Sequence, residues 1–451
     1  MSNRPACFDY RMGDCMYWGP LQGVRHHVKF SLWTVPLLAI PLAIITMRLL
    51  HWLDVQREWT LLGFGVAGAH ALLQAAATAT LSFLVFTFGS LLVAIQVASG
   101  QLTPRIIATT LLRDNVVRYT VGLFILTFFF VLGVENRIEG KVHQLPLVVA
   151  ASLALTCFAA FLYLIDYASR LLRPISILTR VANEGLAVIN SVYPESSLGP
   201  GLPKSRRRTL AAPDRVVKHQ GTSGIVLAIN LEALKSDAER SQGVIEFVPQ
   251  VGDFVGVDEP LFNLYDGAGS LEDDALRSAV AFGSERTMEQ DPTFAFRIVI
   301  DIALKALSPA INDPTTAVLA IDQLHRLLRA VGTRHLRTDE TLDRTGKLRA
   351  IVRTPNWDDF VYLAFSEIRA CGANNLQIVR RLRAMIENLN ETLPDHRQRE
   401  LREQLTLLDQ EIERLFHYPQ ERILARLADS QGLGGHSSKA KSARKRAARS
   451  A

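Results

Sequence analysis

Carboxylates, an amide and a hydroxyl collect in one part of the chain: Glu285, Arg286, Asp291, Asp301, Ser308, Asn312 and Asp313. Hard oxygen donors of this kind suit a cation such as Mg²⁺, and Asp291 and Asp313 are the candidate metal ligands. The same residues serve equally as helix caps and as members of an internal ion-pair network. From Phe294 to Leu307 apolar residues fall on nearly every side, the pattern of a helix buried all round. Its polar residues Arg297, Asp301 and Lys305 are spaced by four, so they stack on one face, where the carboxylate can pair with a cation above or below. Pro309 ends this helix; Asp313 is placed to cap the next, with Pro314 at its first helical position. A polar break between two buried helices is either a binding site or an ordinary helix-loop-helix connection.

Other chemistry is poorly represented. No Walker A loop, Rossmann glycine fingerprint, HExxH or GxSxG occurs, so nucleotide, zinc-protease and hydrolase mechanisms lack their usual groups. His325 and His335 stand ten apart among arginines and make no ligand pair. Cys7, Cys15, Cys157 and Cys371 fit neither a disulfide framework nor a zinc spacing and read as thiols in a reducing compartment. The balance leans away from an enzyme.

The elements that must position these residues divide in two. Hydrophobic residues make up 48% of the 451, concentrated in N-terminal runs of about 20 residues with few charges, which is enough to cross a bilayer. Spans are expected at about 30–50, 76–98, 119–134 and 145–165, within a transmembrane domain over 29–170. Residues 1–28 form an N-terminal segment in which Met16 is a second possible start. Arg25, His26, His27 and Lys29 before the first span, and Arg105, Arg113 and Arg118 after the second, put those flanks in the cytoplasm. Arg170, Arg173 and Arg180 after the fourth do the same, so both termini are expected there. The Gly-rich LLGFGVAGAH is read as an interfacial lead-in. Within the second span Ala76, Thr80, Thr87, Ser90 and Ala94 make a stripe of small and hydroxylated residues, either a pore wall or a close helix contact. Spans two to four hold no ionisable residue near their centres. That argues against a pump with a buried carboxylate but leaves open a hydrophobically gated channel.

The remainder is soluble in pattern. Residues 194–220 read as a linker or mobile loop, whose Arg206, Arg207 and Arg208 could touch anionic lipid headgroups. Residues 221–270 are β-rich, with a layout that resembles the half-barrel of biotinyl and lipoyl modules. No lysine stands on the tight turn that such modules modify, so no lipoyl or biotinyl lysine is expected. Residues 271–427 are mostly helical, at about 273–288, 293–308, 314–332, 357–373, 375–391 and 396–427, with one strand, KLRAIVRT. The last helix, charged with leucines at helical spacing, lies on a surface or pairs with another subunit. Lys+Arg exceed Asp+Glu by 50 to 44, and the basic tail, 432–451, carries six cations with no acid. Everything before that tail is therefore near neutral, and no specific nucleic-acid binding is expected.

Several stretches together resemble the bacterial integral membrane family named domain of unknown function 2254: Phe-Ser-Leu-Trp at the first span, Gln101-Leu-Thr-Pro-Arg105, Gly283-Ser-Glu-Arg-Thr287 with Gln290-Asp291, and above all Ala306-Leu-Ser-Pro-Ala-Ile-Asn-Asp-Pro-Thr-Thr-Ala317. The resemblance covers about residues 25–425. It implies a multi-span inner-membrane protein with a cytoplasmic domain and carries no assigned activity. The expected fold is thus membrane α-helical, with four transmembrane helices plus a cytoplasmic α+β domain, mostly helical with a small half-barrel-like module. The expected function is channel- or transport-like, in a homo-oligomer regulated by the cytoplasmic domain. Alternatives are a membrane-tethered enzyme with its site at 285–313 and a scaffold without catalysis.

Overall fold

The computed structural model describes residues 34–57, 63–101, 115–138, 142–171, 173–193, 212–336 and 340–435. Four helices are long and apolar enough to cross a membrane: α1 (Thr34–Arg57), α2 (Val66–Gln101), α3 (Asn115–Glu135) and α4 (Gln144–Leu171). The second half of the Gly-rich lead-in is helical: α2 starts at Val66, because Ala69, Leu73 and Ala76 continue one buried face of the helix toward its N-terminus. At about 1.5 Å per residue its 36 residues exceed the thickness of a hydrocarbon core. α3 lies at the centre, packed against α1, α2 and α4. Gly122 and Gly133 let α1 approach it closely: a Cβ on Gly122 would meet Val35 Cγ1 at 2.7 Å, and one on Gly133 would strike Met47 Sδ.

The next helix, α5 (Pro174–Val192), follows α4 almost directly. Proline at its first turn sets the start, and Ile177, Leu178, Val181, Ala182, Gly185 and Ile189 form one buried stripe. The sequence reading had no helix here, because the stripe is short and adjoins a stronger membrane signal.

The β-rich part begins earlier than expected, inside the stretch read as linker. β1 (Arg215–Lys218), β2 (Gly224–Ile229), α6 (Leu231–Ser241), β3 (Val244–Gln250), β4 (Phe254–Val255) and β5 (Pro260–Tyr265) follow in order. The expected helix at 273–288 is only α7 (Asp273–Ser278), after which β6 (Val280–Gly283) pairs antiparallel with β2. Val280 and Phe282 suit a pleated, half-buried surface better than a helix. Then come α8 (Pro292–Leu307), α9 (Pro314–Gly332), β7 (Glu340–Leu342) and β8 (Leu348–Arg353). The larger sheet has the order β1-β5-β3-β8-β7 and the smaller one β4-β2-β6. β8 pairs parallel with β3, Ile245 opposite Ala350, so the sheet takes strands from both sides of residue 270, and α8 and α9 lie between them in the sequence. Val226, Val255 and Val280 of the small sheet share a core with Ile245, Phe247, Phe262, Leu264 and Val352 of the large one.

The last elements are α10 (Trp357–Gly372), α11 (Leu376–Thr392), α12 (Gln398–Leu415) and α13 (Pro419–Ala425). The single helix expected at 396–427 is divided at Phe416 to Tyr418, before Pro419, which starts α13. A second core joins α5, α8, α9, α10, α11 and α12. Leu91 and Ile95 of α2 and Tyr167 of α4 pack against it. Beyond α13 the chain is tied down. The fully buried Arg380 donates to the carbonyls of Leu427, Gly434 and Gly435, while Asp429 accepts the N–H groups of Gln431, Gly432 and Gly434. The basic tail beyond 435, the Arg206–Arg208 triplet, the loop around Arg105 and the N-terminal segment lie outside the described residues.

Candidate functional site

The polar residues singled out from the sequence occupy three separate places along α8. Asp291 caps its N-terminus, Asp301 sits on its body, and Ser308, Asn312 and Asp313 lie past its end. Sixteen residues at about 1.5 Å each separate Asp291 from the far break, so Asp291 and Asp313 cannot hold one metal ion between them.

At the first place, one carboxylate oxygen of Asp291 accepts the N–H groups of Thr293 (2.9 Å) and Phe294 (3.2 Å). Its Oδ2 is buried with no hydrogen-bond partner and points at Gly252, where a Cβ would approach it to 2.6 Å. Gly252 has φ +95°, a conformation that glycine takes without strain. Burial pushes the Asp291 carboxyl up, while hydrogen bonds from Thr293 and the charge of Arg286 oppose the shift. Arg286 and Glu285 are exposed. Gln290 behaves as a strand residue would: its side-chain amide accepts from Ile229 N–H at 2.9 Å and donates to Ile229 O at 3.3 Å. The loop from Gly283 to Asp291 therefore bolts the end of β2 to the start of α8.

At the second place, Arg297 bridges Asp301 on its own helix and Glu367 on α10. Glu367 is held below its ordinary value by that guanidinium, and Arg297 above its own by the two carboxylates. The stacked face read from the sequence is thus an interhelical ion-pair network.

At the third, Ser308, Asp313 and the backbone of the break are tied together by local hydrogen bonds. Ser308 Oγ donates to Lys305 O (2.7 Å), Asn312 N–H to Ser308 O (2.8 Å) and Asp313 N–H to Ala306 O (2.8 Å). Asn312 adopts φ +49°, which asparagine tolerates better than most residues. Asp313 is a helix cap, accepting Thr316 N–H at 3.1 Å and the Thr316 hydroxyl at 2.5 Å. Geometry here is that of a connection.

In the membrane helices Thr80 and Thr87 are buried on the face of α2 that meets its neighbours, and Ser90 is exposed. Thr80 Oγ1 donates back to Ala76 O at 2.7 Å and Ser90 Oγ to Thr87 O at 3.0 Å. Ala76 and Ala94 are buried with the two threonines, so four of the five stripe residues face the interior of the structure.

Sequence reading missed one cluster. At the end of the bundle away from the C-terminal domain, Asp54 of α1 is buried, with Oδ2 3.0 Å from His143 Nδ1 and Oδ1 accepting Leu145 N–H at 3.2 Å. His51 meets the His143 ring edge-on, centroids 4.3 Å apart. The His51/Asp54 spacing put both on nearly one helix face, but nothing in the sequence linked them to position 143. Among the described residues no group of three or more His, Cys, Asp or Glu is arranged to hold a metal ion.

Four membrane-length apolar helices followed by a mixed helix-and-sheet domain define a multi-pass membrane protein. A family profile described as predicted membrane protein, domain of unknown function 2254, matches residues 29–388, and the chain belongs to that family. The uncharacterized proteins Rv1290c and MT1328 of Mycobacterium tuberculosis and Mb1321c of Mycobacterium bovis are each 25% identical to it over 374 residues, covering 78% of this chain and 70% of theirs. No solved structure matches the chain significantly.

Proposed function

We propose that the protein is a channel- or transport-like homo-oligomer of the bacterial inner membrane, with both termini in the cytoplasm and a C-terminal domain that regulates the membrane helices. One observation supports this reading above others: α2 and α4 are packed into the core of the C-terminal domain. Leu91, Ile95 and Tyr167 reach the core that surrounds α5, and α5 is wedged against α8 and α9. A rearrangement of the domain core would therefore act directly on two membrane helices. The bilayer and further copies of the chain are its partners in this reading, with anionic headgroups facing the arginine-rich flanks. The tethered-enzyme reading is weakened by the separation of Asp291 from Asp313 along α8.

The test is ion flux from liposomes holding the purified protein, with oligomeric state read by native mass spectrometry. Flux of K⁺, Na⁺ or Cl⁻ above empty liposomes is expected. Gly185→Ala, which sets a methyl against Ala295 at the α5–α8 contact, is expected to change that flux without dissolving the oligomer. An intact oligomer with no flux of any of the three would favour the scaffold.

A further inference from the structure

We propose that the His51–Asp54–His143 cluster is a proton-operated latch at the end of the bundle remote from the C-terminal domain, held closed by Asp54 and loosened when both imidazoles are charged. Asp54 fastens α1 to the first turn of α4 through both carboxylate oxygens, one on His143 and one on the Leu145 amide. Gln144 Nε2 beside it donates to Phe64 O at 3.3 Å, tying in the chain that enters α2. Three of the four membrane helices therefore meet at this point, and the loop after α3 supplies Arg137.

The charged and titratable groups facing His51 are His143, Arg137 and Asp54. A cavity of about 10 Å³ between Met47, His51, Val134, Arg137, Ile138 and His143 has the scale of a single water beside both rings. His143 faces Asp54 directly, so a proton on that ring adds a cation to a hydrogen bond the carboxylate already makes. The second proton, on His51, puts a cation against the His143 imidazolium and near the Arg137 guanidinium, with one carboxylate to offset all three. Like charges at this separation disfavour the assembled state, so the latch loosens on the acid side of the imidazole range.

Hydrogen exchange of the full-length protein in detergent, read on the peptide that contains Leu145 and corrected for the intrinsic pH dependence of exchange, tests the latch. Wild type is expected to lose about tenfold in protection between about pH 8 and about pH 5, the range over which imidazoles gain their charge. His51→Gln, which cannot take the second proton, is expected to stay protected throughout; His51→Phe, which keeps the ring contact, serves the same purpose if the glutamine variant does not fold. Asp54→Asn is expected to be poorly protected at every pH. Protection in wild type that does not change with pH overturns the proposal, as does a His51 variant that loses protection as steeply as wild type.

Discussion

The membrane bundle and the C-terminal domain use the same apolar residues in opposite ways. In the bundle Leu38, Val85 and Leu155 are 65–71% exposed, while Ala43, Ala69, Thr127 and Ala150 are fully buried. In the domain Phe296, Phe360 and Phe365 sit inside and charged side chains cover the helices. Water drives burial around α8, whereas lipid solvates leucine as well as a protein interior does and leaves close fit to hold helices together. α3 combines both habits, burying Phe124 and Phe130 beside Gly122. Burial of a large side chain should therefore matter most in the domain, and the absence of a side chain should matter most in the bundle.

The largest expected contrast is between two truncations of large apolar side chains to alanine. Phe360→Ala should cost about 3–5 kcal/mol in the domain core, and Leu155→Ala on the outer face of α4 less than about 0.5 kcal/mol. Thermal unfolding in detergent checks this; similar losses would break the comparison. Next comes Arg380→Met, which removes three charge-assisted donors from backbone carbonyls and should cost about 1.5–3 kcal/mol. Deleting residues 433–451 should weaken the protein through the other half of the same contacts, while deleting 436–451 should leave its melting unchanged.

Close fit in the bundle is tested by two glycines. Gly122→Ala drives a methyl into Val35 and should cost about 1–3 kcal/mol by overpacking. Gly89 has open space around it, so Gly89→Ala should be neutral or gain up to about 1 kcal/mol of helix propensity. Equal effects would mean that the α1–α3 contact is loose.

The smallest effects are at the caps of α8 and α9. Asp313→Ala should cost about 1 kcal/mol and Asp313→Asn close to nothing, because the amide oxygen still accepts Thr316 N–H. Asp291 behaves differently, since burial raises its carboxyl above the unfolded value. Its stabilising contribution is then complete at low pH and is lost as pH rises through the folded value. Asp291→Asn keeps the cap and removes the ionisation, so its melting temperature relative to wild type should climb between about pH 4 and about pH 7. A constant difference across that window would mean that Arg286 neutralises the buried oxygen.

Local signals were legible and distant pairings were not. The four apolar helices, the buried face of α8, its proline-bounded ends and the cap at Asp313 follow from spacing and residue type. The stacking of Arg297 and Asp301 was visible too, but Glu367, which completes the network, comes from another helix. The polar residues around 285–313 looked like one constellation because sequence distance hides the length of α8, which holds them apart. Strand β8 was recognisable in KLRAIVRT, yet its partner β3 is about a hundred residues earlier and carries no complementary code. His143 was unremarkable in a short loop until folding set it against Asp54.

The parallel pairing of β3 with β8 also imposes an order of events. Ile245 has no partner on that side until Ala350 has been synthesised, long after α1 to α4 have left the ribosome. The whole of α8 and α9 is made in the interval, so the helical hairpin is available to form while one edge of β3 is still open. Completion of the sheet thus waits on the last third of the chain. A nascent protein of this design passes through a period with its membrane part in place and a strand edge exposed, the stage at which intermolecular strand pairing competes with folding.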